Sequence, residues 1–138
     1  MKAMEITNYD TLLMAANQQP QPQRFLFVFV SKSLADEHNA AQAEKFKAGL
    51  GGELTPVMTV DKPLDELTNF ADLVAESELL QKAWDMVLVG CLSGKSGIMP
   101  TSEDAVKHLE TMMKTVEMGG TLSKYMVFDK SGTPLVFN

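Results

Sequence analysis

Apolar positions along this chain switch repeatedly between the spacing of a helix and the unbroken runs of a buried strand. "TLLMAANQQ" follows Thr7-Asn8-Tyr9-Asp10, which has capping-box spacing with an acid in place of the usual Glu. The helix it opens should stop before Pro20 and Pro22, since proline lacks an amide donor and disfavours helical geometry just before it. "RFLFVFV", over 24–30, carries no polar residue after Arg24. A strand apolar on both faces is a central one, covered above and below. "LADEHNAAQAEKFKAGLGG" predicts an alanine-rich helix with Ala43, Phe46 and Leu50 along one side, closed by Gly49, Gly51 or Gly52.

"LTPVMTVDK" is the second strand, with Pro56 near its beginning, where proline is tolerated. After Pro63 the spacing predicts a helix through "LDELTNFADLVAESELLQKAW", with Leu67, Phe70, Ala71 and Val74 on one face and Asp65 and Glu66 in its first turn. "DMVLVG" reads as a third buried strand. "TSEDAVKHLETMMKTVEMGG" has the clearest helical stripe, Ala105, Leu109, Met112 and Val116, with Thr101 and Asp104 as its capping box and Gly119-Gly120 as its end. "KYMVFDKSGTPLVF" predicts a hairpin around Lys130-Ser131-Gly132, and Pro134 places its last strand toward an edge. No internal repeat or low-complexity stretch interrupts this alternation beyond "NQQPQPQ". Strands separated by helical patterns imply parallel pairing through crossovers. The expectation is one α/β domain over 1–138, with helices packed on a mixed, largely parallel sheet and a C-terminal antiparallel hairpin.

"VLVGCLSGKSGIMPTSEDA" raises the question of a phosphate-binding loop, because Gly94-Lys95-Ser96 is how a P-loop ends. Two features argue against it. Only Cys91, Leu92 and Ser93 separate Gly90 from Gly94, one residue fewer than the motif requires. Gly97 and Pro100 also delay the helix, whose first turn already holds Glu103 and Asp104 where an anion would sit. The long connection nevertheless stands out, since most strand-to-helix links take about two to six residues. In an open parallel sheet, ligands settle beyond the carboxyl ends of the strands. Three exits offer Lys32, Lys62 and Lys95, accompanied by Ser31, Asp61, Ser93, Thr101 and Ser102. If those exits converge they form a pocket for a small anion or polar metabolite; if not, the lysines are simply a wet rim.

Charge and composition narrow the partners. Eighteen acids against twelve bases give a net charge of −6 over 138 residues, a field that repels nucleic-acid backbones, and Arg24 is the single arginine. The longest apolar run, 25–30, is too short to cross a membrane, and Glu5 with no apolar stretch before Thr7 speaks against a secretion signal, so a cytoplasmic location is expected. Cys91 is the only cysteine, so neither an internal disulfide nor a cysteine metal cage is available. It reads as a buried small hydrophobe without a base, because His38 and His108 have no sequence relation to it. His108 borders the apolar stripe of its helix and His38 lies among polar residues; neither has metal-ligand spacing. Asp65-Glu66 and Glu103-Asp104 read as capping and dipole charges, and Met112 and Met113 as core filling.

At "PQPQRFLFVFV", "LTPVMTVDK" and "LSGKSGIMPTSEDA" the chain resembles a family of short bacterial proteins often labelled ribonucleotide reductase subunit alpha. The resemblance implies a compact α/β protein and supplies no catalytic assignment. The label fails a chemical check, because that enzyme's catalytic subunit resembles a much longer barrel needing several cysteines, and this chain has only Cys91.

With no nucleophile–base pair, metal set or cofactor fingerprint, the expected function is a non-enzymatic binding or regulatory module. Its surface would be the loop over 93–102, comprising Ser93, Gly94, Lys95, Ser96, Thr101 and Ser102, with Asp61-Lys62 beside it. The partner would be a protein, and no cofactor is called for. The alternative is an enzyme or sensor for a small anionic metabolite, in which Lys62 and Lys95 hold charge while Ser93 and the loop amides donate hydrogen bonds. An edge strand near the C-terminus would permit a homodimer, though Pro134 discourages it.

Overall fold

The computed structural model of the chain describes residues 7–33, 53–81, 83–118 and 125–135. The elements run α1 (Tyr9–Asn17), β1 (Gln23–Ser33), β2 (Glu53–Pro63), a 3-10 turn (Leu64–Glu66), α2 (Phe70–Glu78), β3 (Met86–Ser93), α3 (Ser102–Glu117), β4 (Met126–Asp129) and β5 (Pro134–Leu135). The helix expected around Ala43, Phe46 and Leu50, and His38 with it, lies outside the described residues.

The five strands form one sheet in the order β2-β1-β3-β4-β5, and every neighbouring pair is antiparallel. The largely parallel sheet expected from the alternating pattern is therefore wrong. Strands β2 and β3 do run in the same direction, but β1 lies between them and opposes both. After α3 the chain re-enters the sheet with Met126 opposite Val89, toward the end of β3, so β4 runs back along it. An intervening helix makes neighbours parallel only when it returns the chain to the end where the first strand began.

The sheet has a helix layer on each face. From β1, Phe25, Phe27 and Phe29 point to one side and pack with Tyr9, Leu13, Leu73, Trp84 and Phe128. Leu26, Val28 and Val30 point to the other and pack under α3 through Ala105, Leu109, Met112 and Val116. Burial on both faces is what the unbroken run of β1 predicted. The four α3 residues are the stripe read from its spacing, and Leu109, Met112 and Val116 contribute on the order of 1.5–3 kcal/mol each through burial. Gly90 lets α3 sit close, since a Cβ there would meet Met112 Sδ at 3.2 Å.

Local signals were mostly honoured, with two shifts. The α1 box is Asn8 with Thr11, one residue later than Thr7 with Asp10: Thr11 N donates to Asn8 Oδ1 at 2.9 Å, and Asn8 N to Thr11 Oγ1 at 2.9 Å. The helix expected to run on from Pro63 breaks after the 3-10 turn and restarts at Asn69, whose side chain accepts from Asp72 N at 2.8 Å. Asn competes for backbone donors, so it favours such a restart. On α2, Leu73 is buried and Phe70 and Val74 pack beside it, while Ala71 is exposed. The hairpin forms as expected, with Pro134 as the first residue of the edge strand β5.

Candidate functional site

The glycine-lysine-serine stretch folds into a tight reverse turn. Lys95 N donates to Ile98 O at 3.2 Å and Ile98 N to Lys95 O at 2.9 Å, so the two residues pair across Ser96 and Gly97. Both central residues have left-handed φ, 53° at Ser96 and 76° at Gly97, the pattern of a type I′ turn. The base of the turn is anchored as well: Gly94 N donates to Pro22 O at 2.8 Å, and Gly97 N to Gln21 Oε1 at 2.7 Å. The amides of Gly94, Lys95, Gly97 and Ile98 are thus occupied, whereas a phosphate cradle needs amides aimed outward at the anion. At Gly94 a Cβ would lie 2.2 Å from Ile98 O and 2.9 Å from Pro22 Cγ, so only glycine closes this loop.

Where the loop meets α3, the single arginine fastens three elements. Arg24 Nε and Nη2 reach Asp61 Oδ2 at 2.7 and 2.6 Å. Nη2 also donates to Ser102 Oγ at 2.6 Å and Nη1 to Pro100 O at 3.4 Å, and the Ser102 hydroxyl donates to Asp61 Oδ2 at 3.0 Å. Arg24 and Asp61 meet because antiparallel pairing sets the start of β1 against the end of β2, with both side chains on the α3 face. The helix start is closed separately: Asp104 N donates to Thr101 Oγ1 at 3.1 Å, and Thr101 N to Asp104 Oδ2 at 3.2 Å. Those hydrogen bonds, with Lys107 and His108 nearby, hold the Asp104 carboxyl below its ordinary range.

On the opposite face, Gln23 is 5% exposed and satisfies its amide in two directions. Its Nε2 donates to Gln21 O at 3.0 Å and Ser93 Oγ at 2.9 Å, while its Oε1 accepts from Cys91 Sγ at 2.9 Å. Cys91 was expected to be buried, but it keeps an exposed edge because it lies on the terminal half of β3, beyond the Met86–Val89 stretch paired with β4. Its sulfur is still partly dehydrated, and desolvation pushes the thiol up to about 11. It therefore remains protonated near neutral pH, the reverse of an activated nucleophile.

A surface cleft of about 430 Å³ opens between the loop and α3, lined by Leu92, Ser93, Gly94, Lys95, Ile98, Met99, Pro100, Asp104, Lys107 and His108. A second recess of about 320 Å³ adjoins it through His108 and reaches Gly90, Cys91 and Tyr125. His108 is exposed and shared by both. Ile98, at the end of the turn, is 70% exposed.

The strand exits do not converge. Lys32 pairs with Leu54, at the opposite end of the sheet from Lys62, which pairs with Phe25. Its amide donates to Asp85 Oδ2 at 2.6 Å there. Asp61 and Lys62 lie within β2 and point to opposite faces; Lys62 binds Glu76 of α2 at 2.6 Å, away from Lys95. Of the residues singled out from the sequence, Ser93, Gly94 and Lys95 share the cleft, and Ser96 forms its turn. Asp61 and Ser102 are joined through Arg24, Thr101 serves as the cap, and Lys62 stands apart. Arg24, Gln21, Gln23, Lys107 and His108 were not anticipated there, and Ile98 lay inside the expected loop without being singled out. A lone arginine opening an apolar strand was the one available signal.

Among the described residues, no group of three or more His, Cys, Asp or Glu side chains is placed to hold a metal ion, and no helix is long and apolar enough to cross a membrane. No protein-family model, curated protein or solved structure matches the chain.

Proposed function

We propose that this chain is a non-enzymatic docking module whose 93–102 loop and α3 receive a segment of a partner protein. The observation that carries this reading is Ile98, a large apolar side chain 70% exposed on a turn pinned at Gly94, Gly97, Pro100 and Ser102. A pre-shaped apolar projection loses little conformational freedom when covered, which favours binding. The polar residues lining the cleft are exposed side chains of the loop and α3. Small-molecule pockets usually enclose most of their ligand, so this open shape suits a protein surface better. The small-anion alternative loses support because Lys62 belongs to another face and the loop amides are already bonded. On the resemblance noted above, the chain is also proposed to belong to that family of short bacterial proteins and to act in the cytoplasm.

A photocrosslinking residue placed at position 98 tests the reading, with position 79 as control, since Leu79 is even more exposed, at 81%. A discrete adduct from 98 and none from 79 is the expected result. Thermal unfolding with phosphate, nucleotides and small carboxylates should show no shift. A ligand at a hundred times its dissociation constant would add about 2.7 kcal/mol, and seeing that would favour the metabolite alternative.

A further inference from the structure

We infer that the segment received by this cleft is acidic, with carboxylates flanking an apolar side chain; this rests on the docking reading of the same loop. The charge of the cleft runs against that of the molecule. The chain as a whole carries a net charge of −6, yet the cleft presents Lys95, Lys107 and His108 against the single acid Asp104. That acid is committed to the helix cap through Thr101 and is neighboured by Lys107 and His108. Among the described residues Lys95 has no ion-pair partner. Two bases elsewhere on the described surface are neutralised in ion pairs, Arg24 by Asp61 and Lys62 by Glu76. An acidic segment would be repelled by the overall field and attracted here, so the contrast selects the position as well as the ligand.

The type of anion follows from what is missing. Phosphate groups are best held by arginine forks or outward-facing amides. The only arginine is tied to Asp61, and the turn amides are spent. Lysine ammoniums on flexible stems act as point charges that attract any side-chain anion, and in an unmodified segment those anions are the carboxylates of Asp and Glu. Leu92, Ile98, Met99 and Pro100 supply the apolar surface for the residue between them.

The test pans a library of random peptides against the purified full chain, then measures each recovered peptide on Lys95→Glu, Lys107→Glu and Ile98→Asp. All three positions are exposed, and thermal unfolding verifies that the variants fold. The expected peptides combine Asp or Glu with a large apolar residue and weaken as salt rises. They should lose roughly tenfold or more in affinity with each lysine reversal, and bind Ile98→Asp poorly. Peptides that are basic or uncharged, need Ile98 and ignore the lysine reversals would overturn the acidic assignment while leaving the docking reading intact. Peptides indifferent to all three substitutions, or no enrichment, would overturn both. A concentration-dependent dimer abolished by Ile98→Asp would assign the cleft to a second copy of the chain and likewise overturn the inference.

Discussion

Lys-Ser-Gly occurs twice in this chain, at 95–97 and at 130–132, and the two copies make different turns. In the first, Ser96 and Gly97 both adopt left-handed φ and the flanking residues close the turn by backbone pairing. In the second only Gly132 is left-handed, at 87°, and the turn is organised by a side chain. The Asp129 carboxylate accepts from Ser131 N at 2.9 Å, Ser131 Oγ at 2.6 Å and Thr133 N at 3.0 Å. The lysines differ too: Lys130 lies 5.1 Å over the Trp84 ring, whereas Lys95 stands in the open cleft. One copy lies against Trp84 and Phe70, with Lys130 and Ser131 still exposed, and the other projects beside an open cleft. Three identical residues therefore say little about a phosphate site; their neighbours decide both the turn and its availability.

Substitutions can break this contrast, beginning with the largest effect. Gly94→Ala should destabilise the protein by about 2–3 kcal/mol in urea unfolding, because its Cβ meets the Ile98 carbonyl, which cannot shift without loosening its hydrogen bond from Lys95 N. No Gly94 counterpart exists in the second copy, where Asp129 precedes the lysine. Gly132→Ala should cost about 1–2 kcal/mol, combining left-handed strain with a 3.3 Å approach to the Phe70 ring. Gly97→Ala should cost less, about 1 kcal/mol, since nothing lies within 4 Å of its Cβ and strain alone remains. Equal losses for Gly97→Ala and Gly132→Ala would mean that packing against α2 contributes nothing.

Asp129→Ala should remove about 1 kcal/mol. Burial opposes ionisation of this carboxyl, but hydrogen bonds from the Ser131 side chain and from the Thr133, Ser131 and Gly132 backbone outweigh it and lower its pKa. Its contribution is thus present above the ordinary carboxylate range, about 3.9, and is lost as pH falls through the lower folded-state value. Acid titration of stability should show that loss in the parent and lack it in Asp129→Asn. The smallest effect has the opposite sign. Ser96→Asn supplies the Asn-Gly pair that type I′ turns favour and should stabilise by about 0.5 kcal/mol.

Legibility followed sequence distance. The α3 stripe, the Thr101–Asp104 box and the C-terminal hairpin depend on residues a few positions apart, and they were readable. Strand direction was not, because it depends on where a chain re-enters the sheet after a helix, which no local pattern encodes. That single error propagated into the site. Parallel strands would have gathered Lys32, Lys62 and Lys95; the antiparallel arrangement sends Lys32 to the far end and brings Arg24 to Asp61 and Ser102 instead. The Ser93–Gln23 and Gly97–Gln21 bonds span similarly long separations and rest on register. The acidic cap of α3, by contrast, forms between residues three positions apart and was legible, and it fills the helix end that a phosphate loop would leave free.

Alternating strand directions carry one last implication. Successive peptide dipoles point opposite ways across β2, β1, β3 and β4, so neither rim of the sheet accumulates a polarity of its own. The sheet therefore adds little to the potential beside Leu92, which is left to the amino end of α3 and to a few replaceable charged side chains, Lys95, Lys107 and Asp104. Exchanging two or three of them should invert ligand preference without touching the architecture, which makes this rim a convenient place to re-engineer selectivity.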